Sequence, residues 1–320
     1  MEYPNDAAAV DGLAAAYQKL TEEIGKVIVG QQEVVRYVLI SIFCDGHSLL
    51  VGVPGLAKTL LVKTISDVLD LSFKRIQFTP DLMPSDIIGS EIMNESRQFF
   101  FNKGPIFANI ILADEINRTP PKTQAALLEA MQERNVTFAG QLHPLPLPFF
   151  VLATQNPIEQ EGTYPLPEAQ LDRFMFNIKL DYLAKEEELT MVKNTTSFRK
   201  AVLQKIVSGS DIQFFQQLIR KIPVTENVMN YAVALARKTR PGQAEAPALV
   251  NDYVSWGAGP RASQFLVLGA KCHAAISGKY SPDIEDVKAV ATPILRHRII
   301  LNYKAEAEGI SVEDIVNRIV

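Results

Sequence analysis

Short apolar runs alternate with amphipathic segments through the first half of the chain, and this alternation predicts a repeated order of strands and helices. Apolar runs bounded by turn residues are typical of strands buried on both faces of a sheet. Strands are expected at Leu49–Val51, Phe73–Phe78, Ile110–Leu112, Phe149–Thr154 and Phe174–Ile178. Helices are expected at Gln31–Phe43, Lys58–Leu69 and Pro121–Glu133. The pattern therefore predicts an α/β fold with a mostly parallel sheet that is covered by helices on both faces.

The pattern changes after the polar stretch Asp181–Glu188, because helical periodicity continues while strand-like runs stop. Helices are expected at Glu187–Lys193, Ile212–Lys221, Asn227–Arg237, Arg261–Ser277 and Ile284–Thr292. A chain of 320 residues with 47% hydrophobic residues can support two cores. We therefore expect an α/β domain over residues 1–182 and an all-α lid domain over residues 183–320.

One turn between a predicted strand and a predicted helix has the composition of a phosphate-binding loop. It reads Gly52-Val53-Pro54-Gly55-Leu56-Ala57-Lys58-Thr59. In such a turn, backbone N–H groups, the positive end of the helix dipole and a lysine converge on an anion. Lys58 is expected to reach the β- and γ-phosphates of a nucleotide, and the Thr59 hydroxyl is expected to coordinate Mg²⁺. Ala57 stands where the general pattern has glycine, and alanine does not adopt the left-handed conformation freely.

Two further strands end in polar residues that suit the same chemistry. Asp114 and Glu115 follow an apolar run, at the carboxyl edge where open α/β sheets bind ligands. Asp114 could hold Mg²⁺ through water, and Glu115 could take a proton from an attacking water. Asn156 follows the next strand and could orient that water through its amide. The alternatives are that the two carboxylates begin a loop or cap a helix, and that Asn156 is a turn residue before proline.

These motifs together resemble those of the AAA+ ATPases and, within them, the MoxR-type ATPases. The loop Gly52–Thr59 corresponds to the Walker A motif with the alanine usual in MoxR-like members, Asp114 and Glu115 to Walker B, and Asn156 to sensor 1. Further matching segments are Ile28–Gln31, Leu166–Phe174 and Gly259–Ser263. The resemblance extends from about Gln18 to about Asn317.

The resemblance implies roles for residues that spacing alone does not identify. Val29 and Gly30 would border the adenine of ATP. Arg173 would be an arginine finger that reaches the γ-phosphate bound by the neighbouring subunit. Arg261 would be the sensor 2 residue of a helical lid that closes over the nucleotide. The alternatives are a surface ion pair between Arg173 and a neighbouring carboxylate, and a solvated Arg261 at the start of a helix.

The resemblance also implies how such an ATPase acts on other proteins. Asp86–Phe107 resembles the helix-2 insert, and Arg134–Pro148 resembles the pre-sensor-1 hairpin. Both insertions would face the pore or the rim of a ring. The alternative is that they only extend the edges of sheets and contact no partner. The implied activity is ATP hydrolysis with Mg²⁺ in a homo-oligomeric ring, for which we expect a hexamer. The ring would remodel or mature a client protein, which in this family often contains a von Willebrand factor A domain. The alternatives are a nucleotide-dependent binding switch with little turnover and a chelatase-like or DNA-acting motor subunit.

Charge, hydropathy and cysteine content limit the protein classes that are compatible with the sequence. A net charge of −4 argues against a nucleic-acid-binding protein, which would usually carry a basic face. The basic clusters Arg237–Arg240 and Arg296–Arg298 are predicted to lie on the lid surface, in contact with the α/β domain or a neighbouring subunit. No uncharged apolar stretch reaches the ~18 residues of a membrane span, and the first residues lack the pattern of a signal peptide. Cys44 and Cys272 are predicted to be buried reduced thiols, which fits a cytosolic setting. With no predicted span or signal peptide, we expect a cytoplasmic protein. The four histidines have no paired metal-ligand spacing and are expected to be structural or surface residues.

Overall fold

The structure is a computed structural model that describes residues 3–93, 95, 97–159, 161–197 and 201–320. Asn94 and Ser96, which fall within the predicted insertion Asp86–Phe107, lie outside the described residues. The chain divides into two compact units. The sheet unit consists of Lys19–Pro167 and Ile178–Gln213, and the helical unit consists of residues 3–18, Glu168–Asn177 and Phe214–Val320. The domain boundary between residues 182 and 183 stays a prediction.

The described helices and strands follow the predicted order, together with elements that were not predicted, among them the 20-residue helix α1 and several short helices. The helices are α1 (Asp6–Gly25), α2 (Gln32–Phe43), α3 (Lys58–Val68), α4 (Pro84–Ile88), α5 (Pro121–Glu133), α6 (Glu168–Leu171), α7 (Lys185–Thr195), α8 (Gly209–Lys221), α9 (Glu226–Lys238), α10 (Ala248–Tyr253), α11 (Pro260–Ile276), α12 (Ile284–Leu295), α13 (Tyr303–Glu308) and α14 (Val312–Ile319). The strands are β1 (Ser48–Val51), β2 (Phe73–Gln77), β3 (Gly89–Met93), β4 (Phe99–Lys103), β5 (Ile110–Asp114), β6 (Asn135–Phe138), β7 (Gln141–Pro144), β8 (Phe150–Gln155), β9 (Phe176–Lys179), β10 (Val254–Trp256) and β11 (Ile300–Leu301). Every strand predicted from an apolar run is present.

The main sheet of the described chain has the strand order β2-β5-β8-β1-β9. The pairings of β2 with β5, β5 with β8 and β1 with β8 are parallel. β5 and β8 occupy the middle of the sheet, and all their residues except the last are buried, as their apolar sequences require. The predicted α/β fold with a mostly parallel sheet is confirmed. Because these strands run parallel, their carboxyl ends meet at one edge of the sheet, where Asp114 and Gln155 lie.

Both predicted insertions form antiparallel hairpins. β3 pairs with β4, and β6 pairs with β7. Phe101 of β4 stacks on Phe138 of β6 with ring centroids 4.7 Å apart, and it also packs against His143 of β7 at 4.3 Å. The two hairpins therefore lie side by side. Phe99 and Met93 on the first hairpin are more than half exposed.

The helical unit is built around α11, α12 and α9. A Cβ on Gly269 of α11 would lie 3.2 Å from Val290 of α12, so the glycine allows a close approach of the two helices. Asp283 caps α12 by accepting a hydrogen bond from the backbone N–H of Asp286 at 3.1 Å. Cys44 of the sheet unit and Cys272 of α11 are buried and not joined in a disulfide, as predicted. Among the described residues, no helix combines the length and apolar composition that crossing a bilayer requires.

Candidate functional site

The turn Gly52–Thr59 joins β1 to α3 at the carboxyl edge of the sheet. Gly55 and Ala57 both have left-handed backbone conformations, with φ of 89° and 54°. The expectation that alanine would avoid this region is therefore not met at Ala57. Alternating left-handed residues turn backbone N–H groups toward one point, which is the arrangement that binds anions. Ala57 also provides no side-chain cap for the first N–H groups of α3, so these groups are available to an anionic ligand.

Lys58 is the first residue of α3 and directly follows Ala57 of this turn. Its ammonium donates to the carbonyl of Gly52 and, at 3.5 Å, to the carbonyl of Gln155 at the end of β8. Burial lowers the pKa of Lys58, while the nearby Asp114 and Glu115 carboxylates oppose that change. The ammonium is thus held at the carboxyl edge by backbone oxygens, close to the two acidic residues that the sequence analysis singled out.

Asp114 ends β5 and is held by two neighbours. One carboxylate oxygen accepts from Nε and Nη2 of Arg75 at 2.9 and 2.6 Å, and the other accepts from the Thr154 hydroxyl at 2.6 Å. A carboxylate offers about four acceptor positions, so these three bonds leave about one for a further donor or ligand water. One remaining acceptor position is enough for Asp114 to contact Mg²⁺ through a water molecule, but not for several direct bonds to the ion.

Glu115 is positioned by a separate set of donors. Its backbone is left-handed, at φ 59° and ψ 49°, and its N–H donates to the Thr154 hydroxyl at 2.8 Å. Gln77 and Arg118 donate to the same carboxylate oxygen at 2.9 and 3.0 Å. The Thr154 hydroxyl therefore joins the backbone of Glu115 to the carboxylate of Asp114. These hydrogen bonds fix the orientation of the Glu115 side chain. A fixed orientation suits a carboxylate that acts on one water molecule.

Asn156 is buried, and its side-chain oxygen accepts from the N–H of Ile158 at 3.2 Å. This local bond is the one expected of a turn asparagine, yet the residue also lines a cavity of about 460 Å³ together with the predicted phosphate and metal residues. The described lining of that cavity is Val53, Pro54, Gly55, Leu56, Ala57, Lys58, Thr59, Leu60, Arg75, Asp114, Glu115 and Asn156. The fold thus brings residues from four separate segments to one place.

A second cavity, of about 390 Å³, is also lined by residues of the turn, and its lining is mostly apolar. Its described lining is Val27, Ile28, Val29, Gln31, Pro54, Gly55, Leu56, Ala57, Leu60, Tyr182, Leu183, Glu188, Met191 and Thr195. Val29, which was predicted to border the adenine, is one of these lining residues. Gly30 is not among the lining residues. A Cβ on Gly30 would lie 2.6 Å from the Glu187 side chain, so the glycine allows α7 to pack close to the backbone at position 30. An apolar cavity beside an anion-binding turn fits a flat aromatic base.

Arg173 and Arg261 belong to the helical unit, whereas both cavities are formed by the sheet unit. The Arg261 guanidinium lies 3.5 Å from a carboxylate oxygen of Asp172, the residue before Arg173. Its side chain is 40% exposed. Arg261 therefore lies beside Asp172, and Asp172 directly precedes Arg173 in the chain.

Four side chains of this site were not predicted from the sequence, namely Arg75, Gln77, Arg118 and Thr154. A signal existed for Gln77, because it lies near the carboxyl end of the predicted strand Phe73–Phe78, although its register with Asp114 depends on the strand order. Thr154 was included in a predicted strand but was not recognised as a hydrogen-bond partner of the two acidic residues. Recognising Arg75 and Arg118 requires the strand order and the turn after β5, which the sequence does not state.

Comparisons with known proteins give this site a family context. Residues 47–176 match the sequence model of the "ATPase family associated with various cellular activities (AAA)", and residues 246–319 match that of the "AAA lid domain". Chaperone MoxR1 of Mycobacterium tuberculosis is 43% identical over 97% of this chain and 83% of its own length. The chain belongs to the MoxR-type AAA+ ATPases.

Other relatives agree with this MoxR-type assignment. Protein MoxR of Methylorubrum extorquens is 31% identical, over 93% of this chain and 91% of its own. The uncharacterized protein YeaC of Bacillus subtilis is 41% identical, over 94% of this chain and 92% of its own. A solved structure of a candidate ATPase from Cytophaga hutchinsonii superposes with a TM-score of 0.91 at 47% identity, covering 97% of this chain and 95% of that one.

MoxR-type membership implies nucleotide binding, and the residues of the site fit that ligand. The uncapped helix start and Lys58 suit phosphate groups, and the neighbouring apolar cavity suits a base. Among the described residues, no group of three or more His, Cys, Asp or Glu side chains could hold a metal ion without help. Mg²⁺ at this site would therefore take most of its ligands from phosphate oxygens and water, which is its common mode of binding.

Proposed function

We propose that this MoxR-type protein hydrolyses ATP with Mg²⁺ in a homo-oligomeric ring and uses the cycle to remodel, mature or assemble a client protein. The observation that carries the proposal is the convergence of Lys58, Asp114, Glu115 and Asn156 on one cavity above the phosphate-binding turn. A simple binding site would need the lysine and the turn, but it would not need a fixed carboxylate beside them.

In the proposed reaction each side chain has one task. Lys58 binds the β- and γ-phosphates, and Thr59 and Asp114 hold Mg²⁺, which when bound neutralises charge on the phosphate oxygens. Glu115, held by Gln77 and Arg118, orients the attacking water and accepts its proton. Asn156 stays within reach of that water through its amide.

Two variants with matched controls test the chemistry. Lys58→Ala is expected to weaken binding of a fluorescent ATP analogue, since it removes the positive charge from the phosphate site. Lys63→Ala, an exposed lysine of the same helix, is expected to leave binding unchanged. Glu115→Gln is expected to bind ATP nearly normally and to lose about 10²- to 10⁴-fold in phosphate release. Glu129→Gln, at an exposed position of α5, is its control. Wild-type turnover in both Lys58→Ala and Glu115→Gln would mean that the site is misassigned.

The role proposed for Arg173 is to act on the ATP of the neighbouring subunit, where an arginine finger contributes roughly 10³- to 10⁵-fold in rate. Arg173→Ala rings are therefore expected to turn over slowly. Mixing them with Lys58→Ala subunits should restore partial turnover, because some interfaces then combine an intact cavity with an intact finger. If mixed rings of verified composition show only the average of the two defects, the site is not shared between subunits.

Arg261 is proposed to contact the γ-phosphate from the lid, in exchange for its long ion pair with Asp172. The client is proposed to carry a von Willebrand factor A domain, and the ring is proposed to be a hexamer, as the family resemblance implies.

A pull-down with Glu115→Gln and ATP tests the client, because a ring stalled before hydrolysis should hold its partner longest. A binding switch is distinguished by turnover that does not depend on Glu115, and a chelatase-like or DNA-acting motor by stimulation with a tetrapyrrole complex or with DNA.

A further inference from the structure

The basic stretch Arg296-His297-Arg298 follows α12 in the helical unit. It was predicted to lie on the lid surface in contact with the α/β domain, residues 1–182. Arg298 does contact residues 172–175 of that range, but only 2% of its side chain is exposed. Burying a guanidinium is costly unless its donors are satisfied. The partners that satisfy Arg298 therefore show what the buried charge is used for.

The hydrogen bonds of Arg298 go mainly to a single short segment of the helical unit. Its Nε donates to the Asp172 carboxylate at 2.7 Å, and its Nη2 donates to the carbonyls of Asp172 and Phe174 at 2.9 and 2.8 Å. Its Nη1 donates to the carbonyl of Met175 at 3.3 Å and to that of Ile294 in α12. The two carbonyls bound by Nη2 are those on either side of Arg173.

The two preceding residues extend this attachment. His297 Nε2 lies 3.0 Å from the carbonyl of Phe174, and Arg296 donates to the carbonyl of Asn177 at 2.7 Å. Burial and the neighbouring Arg298 hold the pKa of His297 well below its usual range, so the imidazole is neutral and its Nε2 carries the proton that Phe174 accepts. We call Arg296, His297 and Arg298 the basic clamp.

Such a dense set of bonds is not needed for stability alone. Replacing a buried ion pair by apolar residues of similar volume is often neutral or stabilising, so a buried arginine is weak support for a purely structural role. A planar guanidinium with five N–H donors does fix the orientation of the groups it binds. In this chain the oriented groups are the peptide carbonyls that flank Arg173.

We propose that Arg298, with the rest of the basic clamp, is a positioning residue that presents Arg173 to the nucleotide of the neighbouring subunit. The inference rests on the proposed function of Arg173. The other carboxylate oxygen of Asp172 lies 3.5 Å from Arg261, but the proposal concerns the position of Arg173 alone. Arg298 itself contacts neither nucleotide nor water in this role.

Arg298→Lys tests the proposal, because it keeps the charge and removes the Nη2 group that donates to both carbonyls. We expect kcat for ATP to fall by roughly 100-fold, the loss typical of a displaced catalytic group, while KM stays within about threefold. Arg237→Lys is the matched control, since Arg237 belongs to the same unit and pairs with Glu245 in an exposed ion pair. Its kcat is expected to stay at the wild-type value.

Two further readouts separate positioning from a general structural defect. In an Arg173→Ala background, Arg298→Lys is expected to cause no additional loss of turnover, because the group that it positions is already absent. Mixed with Lys58→Ala subunits, Arg298→Lys subunits are expected to regain turnover, because their own cavities can then receive an intact finger. Should Arg298→Lys fail to fold, Asp172→Asn replaces it, since the asparagine side chain keeps a carbonyl acceptor and loses the charge that Nε binds.

The outcomes are distinguishable from failure of the proposed function. Slow Arg173→Ala rings together with wild-type turnover in Arg298→Lys would overturn the positioning role and leave the finger intact. Multiplied losses in the double variant, or no recovery on mixing, would also overturn it. Wild-type turnover in Arg173→Ala would remove the finger and, with it, the basis of this inference.

Discussion

Replacing Ala57 by glycine is expected to stabilise the sheet unit, because Ala57 has a left-handed backbone at φ 54° and ψ 29°. In this conformation the Cβ of an L-residue crowds the following carbonyl oxygen, which costs roughly 1–2 kcal/mol. Glycine avoids that cost but gives the unfolded chain more freedom, which offsets about 0.5–1 kcal/mol of the gain. The expected net stabilisation is therefore about 0.5–1 kcal/mol, or roughly 1–4 °C in melting temperature for a domain of this size.

The assay is thermal unfolding without nucleotide, followed by circular dichroism. Ala125→Gly is the matched control, because Ala125 is exposed in the interior of helix α5, where glycine costs about 1 kcal/mol relative to alanine. The two alanine-to-glycine changes are thus expected to shift the melting temperature in opposite directions. The affinity for a fluorescent ATP analogue is expected to stay the same in Ala57→Gly, because this side chain carries no polar atom.

A fall in melting temperature for Ala57→Gly, similar to that of Ala125→Gly, would refute the reasoning. It would mean that the alanine Cβ is not strained at this position and that the described geometry of the phosphate-binding turn is wrong. An unchanged melting temperature together with a clear loss for Ala125→Gly would show that the backbone strain is fully offset by the unfolded-state entropy.

His47 is buried, and burial lowers its pKa to about 3. The unfolded chain binds a proton near pH 6.5 and the folded chain does not, so stability is lost as the pH falls, by about 2 kcal/mol between pH 7 and pH 5. His47→Gln should therefore show a weaker loss of melting temperature over that range, and an unchanged loss would contradict the assignment. Thr154→Val removes the hydroxyl between Asp114 and Glu115, and it is expected to cost about 1–3 kcal/mol of stability and to lower turnover at least about tenfold, measured by melting and phosphate release.

The sheet was predictable because its central strands are buried on both faces, which leaves a continuous apolar run in the sequence. The turn after β1 and the acidic pair after β5 were predictable for a related reason. Parallel strands bring their carboxyl ends to one edge, so polar residues directly after two apolar runs are expected to meet. Lys58, Asp114, Glu115 and Asn156 indeed line one cavity, although their catalytic roles stay predictions.

Several helices were missed for reasons that differ. α14 had a readable start, since Ser311 accepts from the N–H of Asp314 in a capping box, and this signal was overlooked. α1 buries Ala9 and Ala16 along with larger residues, and alanine contributes little to a hydrophobic pattern. The burial of Arg298 could not be predicted, because its partner Asp172 is 126 residues away and a basic run usually indicates a solvated surface.

The segment Glu168–Asn177 belongs to the helical unit although it lies in the chain between two parts of the sheet unit. A cut at residue 182 would leave Asp172 in one fragment and Arg298 in the other, so each fragment would expose a charge that the whole chain pairs. The two halves are therefore poor candidates for separate expression. A chimera between relatives would need to transfer residues 168–177 together with the C-terminal part, because these two stretches must match each other even where the rest of the exchange is tolerated.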